Sequence, residues 1–281
     1  MRLGYLGPEG TFSEEAARSA PEAGDAVLLP LPTVRDTIMA VHDGTVERAV
    51  VPIENALEGP VGVTLDTLAD DSADVAIVGE VVIAISPCLI ARDGTALGDV
   101  ERVVSHPQAT SQCARFLREH LPRATVMAAD STAEAVRIVA AQSAPWAALG
   151  TRRAAELYGA SVIAEHVEDE PGNATRFVWI ARADAAPGPA GATKTSLTFC
   201  GSGDTSPGWL VRCLSEFAFR GVNLTKIESR PLRGRLGHYR FFVDCEGAAG
   251  DDPVAQAVEG LHAHCEDVKV LGTYAAARTP D

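Results

Sequence analysis

The chain has 281 residues, 46% of them hydrophobic and 22% charged, with a formal net charge of −14. That balance belongs to a folded globular protein rather than a disordered one, and the length allows two domains, or one large and one small, each with its own core. So acidic a chain argues against nucleic acid or an anionic membrane as partner, since phosphate recognition rests on basic surface.

The start, "MRLGYLGPEG", lacks the basic end and apolar core of a leader, and no run of 18 apolar residues follows, so the expected location is the cytoplasm with no membrane span. Cys88, Cys113, Cys200, Cys213, Cys245 and Cys265 are scattered through apolar segments without CxxC pairs, and read as reduced, buried thiols. All three lysines, Lys194, Lys226 and Lys269, come after residue 193. Before that point arginine is the only fixed cation, which argues against a Schiff-base or P-loop lysine there.

In chain order, "RLGYL" predicts a strand, "FSEEAARSA" and "TVRDTIMAVHDG" helices, "RAVVPI" a strand and "VGVTLDTLAD" a helix. "VAIVGEVVIAIS" is too long for one short strand and is expected to cross between two lobes. "VERVVS" (strand), "PQATSQCARFLREH", "STAEAVRIVAAQ" and "RRAAELYG" (helices) follow, with Ser131 and Glu134 in a capping-box pattern, and the chain returns through "ATRFVWIA". Strands alternating with helices predict a layered α/β fold with a mainly parallel sheet. "ADAAPGPAGAT", 183–193, reads as a linker. It divides a larger part, 1–182, from a smaller one, 194–275, whose strands and helices run βαββαβ, with 276–281 as a tail.

Four segments place polar residues where a strand ends and the chain turns, the usual position of ligand sites in α/β sheets. They are "GPEGTFS" (7–13), "VPIENALEGPVG" (51–62), "SHPQATSQC" (105–113) and "GNATRF" (172–177). The glycines of the first have the wrong spacing for a dinucleotide fingerprint, and Thr11 or Ser13 could simply cap a helix. In the second, a shielded Glu54 would hold or pass a proton while Asn55 orients a ligand oxygen; the alternative is a solvated loop. His106, directly before Pro107, stands at a helix entrance, where capping or packing is the competing role. A regular strand would send Thr175 and Arg176 to opposite faces, so both can meet one ligand only if Asn173 and Ala174 still belong to a turn. His262, His264 and Cys265 do not share a helix face, and no metal site is expected.

Taken jointly and in this order, "GYLGPEGTFSEEAA", "VPIENALEGPVGVTLDTL", "SHPQATSQCARFL", "STAEAV" and "GNATRF" resemble the prephenate dehydratase family, from residue 1 to about 182. "SPGWLVRCLSEFAFRGVNLTKIESRP" is similar to the regulatory ACT domain of that family. The resemblance implies a two-lobed catalytic domain of the type II periplasmic-binding-protein kind, with its site in the cleft, followed by a ferredoxin-like ACT domain; the form is monofunctional. It implies a carbon–oxygen lyase that turns prephenate into phenylpyruvate in phenylalanine synthesis, without metal or cofactor. On this basis Thr175 is expected to donate to the leaving hydroxyl and Arg176 to clamp a carboxylate, with Glu54 or His106 relaying a proton. Thr11, Asn55, Ser86, Gln108, Thr132 and Phe177 are expected to line the cleft. L-phenylalanine as effector is expected between paired ACT domains of a dimer or tetramer, at Gly208, Trp209, Leu210, Val211, Asn223 and the Glu228, Ser229, Arg230, Pro231 turn. Trp209 departs from the family, which usually has a small residue there; it could fill the pocket, shift the ligand or pack outward. Two rival readings are arogenate dehydratase, separated by substrate preference, and a two-lobed sensor that binds without turnover.

Overall fold

In a computed structural model, which describes every residue except 73, 186–192, 202–205, 233, 235, 278–281 and the side chain of residue 22, the chain forms three sheets. The first contains β1 (Arg2–Leu6), β2 (Val27–Leu31), β3 (Arg48–Asn55), β5 (Val75–Ala84) and β11 (Ala174–Arg182), ordered β2-β1-β3-β11-β5. The two-residue β4 (Gly59–Pro60) pairs with β3. β1 runs parallel to β2 and β3, while β11 is antiparallel to both its neighbours. The second sheet orders β10 (Ser161–Ala164), β6 (Cys88–Ala91), β9 (Trp146–Gly150), β7 (Arg102–Ser105) and β8 (Thr125–Ala128) as β10-β6-β9-β7-β8. The sheets are thus mixed rather than mainly parallel.

Helices fall largely where the apolar period places them. Helices α1 (Phe12–Arg18) and α2 (Val34–His42) start at Thr11 and Thr33, whose hydroxyls accept the N–H three residues on. Helix α3 (Gly62–Asp66) runs on into a looser turn, Thr67–Asp71. Helix α6 (Thr132–Ala140) starts at Ser131, which accepts from the Glu134 N–H at 3.0 Å, but the Glu134 carboxylate pairs with Arg137 rather than closing the capping box. Helix α7 (Arg152–Tyr158) stops at Gly159 in the left-handed conformation. The expected single helix from 107 to 120 is two, α4 (Pro107–Gln112) and α5 (Ala114–His120). Asp169 breaks it: its carboxylate accepts the N–H groups of Arg115 and Phe116, and its own N–H donates to the Gln112 carbonyl.

The segment 75–84 is one ten-residue strand of the first sheet, not the crossing itself. The chain passes between lobes at 85–87 and returns at 165–173. The two passages lie side by side, Ile85 N–H donating to Asn173 O at 2.8 Å and Val167 N–H to Pro87 O at 3.3 Å.

The C-terminal unit is β12 (Thr193–Cys200), α8 (Trp209–Ala218), β13 (Leu224–Pro231), β14 (Tyr239–Glu246), α9 (Asp252–His262) and β15 (Asp267–Ala275), with strand order β13-β14-β12-β15. This is the expected βαββαβ order; most of the expected linker lies outside the described residues. One face of the sheet packs on α8 and α9 through Leu197, Phe199, Val243 and Cys245. The other face buries Phe242, Leu271 and Tyr274 in the same core as Ile38, Leu65, Ile77 and Val178 of the first lobe. The contact is close enough that a Cβ on Gly272 would lie 2.1 Å from the Ile77 carbonyl oxygen, so only glycine fits there. First lobe and C-terminal unit therefore share one hydrophobic core.

The six cysteines are unpaired, and burial pushes the Cys113 thiol up to about 12 and Cys245 to about 11, which keeps both protonated at neutral pH. No helix among the described residues is long and apolar enough to cross a membrane.

Candidate active site

The polar centre of the first lobe is built where β3 ends and β11 begins. Thr175 pairs with Asn55 and Arg176 with Glu54 across the ladder. The register then slips between Arg176 and Phe177, a bulge that accommodates one extra residue on β3 just below the pair. Asn55 is the last residue of β3, and its Oδ1 accepts the N–H groups of Leu57 and Glu58 at 3.0 Å, which turns the chain. Its Nδ2 donates to Thr175 Oγ1 at 2.9 Å and to Asn173 Oδ1 at 3.0 Å. All three side chains belong to buried residues. A hydroxyl has one hydrogen and two lone pairs. With one lone pair occupied by Asn55, the Thr175 hydrogen is uncommitted among the described residues.

The second lobe reaches this centre through Gln112, whose Oε1 accepts from Asn173 Nδ2 at 3.3 Å and whose Nε2 donates to Glu58 at 3.4 Å. A second seam joins the start of α1 to the start of α7. Thr151 Oγ1 donates to the Gly10 carbonyl at 2.7 Å, and Arg153 Nε lies 2.8 Å from Glu14 Oε1. Gly10, at φ +83°, packs so closely that a Cβ there would meet that of Ala154 at 3.0 Å. Burial opposes ionisation of Glu14, but the Gly10 N–H, Arg18 and Arg153 outweigh it and hold the carboxyl below the usual glutamate range. Asn173, Gln112, Glu14, Thr151 and Arg153 were not singled out from the sequence as site residues. Asn173 stands inside the quoted "GNATRF", Gln112 inside "SHPQATSQC" and Glu14 inside "GYLGPEGTFSEEAA", but their contacts, with those of Thr151 and Arg153, form only where the lobes meet.

Several expected site residues stand elsewhere. Ala174 and Thr175 already belong to β11, without the expected turn, so alternation turns Arg176 to the opposite face of the strand from Thr175. Arg176 Nη1 lies 2.6 Å from Asp244, Nε 2.7 Å from Glu80, and Nη2 2.9 Å from the Tyr274 hydroxyl. Burial alone would lower its basicity; Asp244, Tyr274 and Glu80 instead raise it well above the usual guanidinium range. Glu54 shares that face, 2.8 Å from Lys226 and 3.5 Å from Arg176, and so is turned away from Thr175. Phe177 shares the Thr175 face but is buried beneath α1 with Tyr5, Ala16, Ala17 and Val50, which makes it a core residue. Ser86 sits at the lobe crossing, donating to Glu168 at 2.9 Å with His166 Nδ1 equally near. His106 Nδ1 accepts the Gln108 N–H at 3.3 Å, making it the cap of α4. Thr11 caps α1, and Thr132 is the first residue of α6.

In the C-terminal unit a cavity of about 290 Å³ is lined by Ser206, Gly208, Trp209, Leu210, Val211, Gly237, Tyr239 and Phe241. Trp209 packs inward: its indole N–H donates to His264 O at 2.7 Å and its ring lies against Phe199 and Phe241. It forms a wall of the cavity. Asn223, Glu228, Ser229, Arg230 and Pro231 are outside that lining, because Arg230 turns to Asp66 of the first lobe at 2.6 Å and Ser229 and Pro231 are exposed along β13.

A family model described as prephenate dehydratase matches residues 3–185. The chain belongs to the prephenate dehydratase family. A prephenate dehydratase of Mycobacteroides abscessus is 42% identical over 285 residues, covering 99% of this chain and 91% of its own. Among solved structures, the prephenate dehydratase of Arthrobacter aurescens in complex with L-Phe is 38% identical, with a TM-score of 0.90, and covers 98% of this chain and 90% of its own. GqqA, described as a novel type of quorum quenching acylase, is 32% identical with a TM-score of 0.87 over 98% of each chain. Each of these two solved relatives covers 98% of this chain, and so spans the C-terminal unit as well as the two lobes.

Proposed function

We propose that this chain is a carbon–oxygen lyase that converts prephenate to phenylpyruvate in the cleft between its two lobes, with Thr175 hydrogen-bonding the leaving hydroxyl. The ring carboxylate departs as carbon dioxide, leaving its electron pair to form the aromatic ring. The ring C–O bond breaks with its pair on oxygen, and uptake of one proton makes water. What the protein supplies is orientation and a hydrogen bond that strengthens as negative charge grows on that oxygen. The observation that carries this reading is the 2.9 Å bond from Asn55 Nδ2 to Thr175 Oγ1, which makes the threonine an acceptor on one side and so frees its hydrogen for the ligand. A donated bond also polarises the hydroxyl and makes it a better donor.

Arg176 is occupied elsewhere, so we assign the ligand's carboxylate end to Arg153 at the lobe seam, where its Nε lies 2.8 Å from Glu14 beside Arg18. Two lobes joined by paired crossings suit the periplasmic-binding-protein plan, and the βαββαβ unit suits an ACT domain. Its 290 Å³ cavity is where we place L-phenylalanine as effector, a reading supported by the Arthrobacter relative being solved with L-Phe, and we take the chain to pair through this unit in an oligomer. The test follows phenylpyruvate by ultraviolet absorbance from prephenate and from arogenate, with and without phenylalanine. Turnover of prephenate is expected, slowed by phenylalanine. Preference for arogenate would make the chain an arogenate dehydratase, and tight prephenate binding without product would make it a sensor.

A further inference from the structure

The first-lobe residues that carry the cleft are neighbours, in the chain, of residues that carry charge on the reverse face. Asn55 and Thr175 face the cleft; Glu54 and Arg176, one position away on the same two strands, face the C-terminal sheet. That sheet answers with a group from each of its four strands. Lys226 of β13 meets Glu54 at 2.8 Å, and Asp244 of β14 meets Arg176 at 2.6 Å. Ser196 of β12 donates to the second Asp244 oxygen and lies 2.6 Å from the hydroxyl of Tyr274 on β15, which in turn accepts from Arg176 at 2.9 Å.

We infer that Asp244 and Tyr274 are positioning residues for the reaction: by fixing Arg176 they hold β11 in the register that aims the Thr175 hydroxyl, so the geometry of the C-terminal sheet sets kcat. Charge-assisted bonds in a dry interface are strong and directional. The planar Arg176 guanidinium is held at three points, by Glu80 of β5 as well as by Asp244 and Tyr274, so its direction is fixed. Because Arg176 and Thr175 are adjacent on one strand, a small rotation at the former is imposed on the latter. A shift of β14 against β12, of the kind a ligand in the C-terminal cavity would cause, thereby reaches the cleft without any contact between ligand and substrate.

This inference rests on Thr175 being the hydrogen-bond donor, and a double-mutant cycle separates the two claims. Tyr274→Phe removes one hydroxyl; Asp244→Asn is the second probe, should the first perturb folding. Each is measured for kcat and KM in the parent and in a Thr175→Val background, with thermal melts to confirm folding. If the network aims the Thr175 hydroxyl, Tyr274→Phe lowers kcat about fivefold in the parent with KM within about twofold, and has no effect once the hydroxyl is gone. An equal loss in both backgrounds, or no loss in the parent, overturns the positioning role while leaving the Thr175 assignment intact. Should Thr175→Val alone keep the parental kcat, it is the underlying reading of the cleft that fails.

Discussion

Asn55→Asp is the most specific perturbation of the cleft, because it keeps the shape of the side chain and reverses its chemistry. In the parent Nδ2 donates to Thr175 Oγ1 at 2.9 Å and to Asn173 Oδ1 at 3.0 Å. A carboxylate donates to neither. Thr175 would turn its hydrogen onto the new oxygen and withdraw it from the ligand, while Asn173 Oδ1 would face an anion with no proton between. Losing one buried bond costs about 1 kcal/mol and stranding its partner about 1–3 kcal/mol more, so the variant should be about 2–4 kcal/mol less stable. For a chain of this size that is a fall in Tm of about 5–15 °C. Removing a donor aimed at developing charge costs about 10²–10³-fold in kcat, and the added charge also repels a dianion, so KM should rise. Initial rates of phenylpyruvate formation at several prephenate concentrations, beside a thermal melt, give both quantities. A variant with the expected loss of Tm but a kcat within fivefold of the parent would show that Asn55 only holds the turn, and would refute its role in orienting the hydroxyl.

Gly272→Ala should open the joint between first lobe and C-terminal unit, since its Cβ would stand 2.1 Å from the backbone oxygen of Ile77 and no rotamer change can relieve that. The expected cost is about 1–3 kcal/mol or more, read as a lower Tm and earlier unfolding of the C-terminal unit; an unchanged melting profile would contradict a shared core. The Glu14 carboxyl titrates below its ordinary value of 4.5, so its contribution to stability is complete above about that pH and is lost as pH falls through the folded-state value. Glu14→Gln should therefore destabilise at pH 7, with the gap to the parent closing on acidification, whereas a gap that stays constant down to pH 3 would remove Glu14 from the seam.

Much of this arrangement is legible in the sequence because it depends on local rules. Strands β1, β3, β7 and β11 and the helices beginning at Thr33 and Ser131 announce themselves by apolar period and by capping residues. The βαββαβ order after residue 193 does so as well. The break between α4 and α5 is not legible, since the carboxylate that causes it, Asp169, lies 54 residues from Arg115. Strands β6, β8, β9 and β10, of four or five residues each, fall outside the segments whose pattern is read as a strand. Strand alternation alone would have sent Thr175 and Arg176 apart. Bringing them together required a turn at Ala174 that the pairing of Ala174 with Ala84 rules out. The fate of Arg176 could not be read locally either, because Asp244 and Tyr274 lie 68 and 98 residues further on.

The most direct test of the cleft is the turnover number of Thr175→Val at saturating prephenate, measured beside Thr175→Ser. A hydroxyl that donates to the departing oxygen predicts a loss of about 10²-fold or more for valine, with KM changed only a few-fold, and recovery of most of the activity by serine. A valine variant whose kcat stays within twofold of the parent would contradict it.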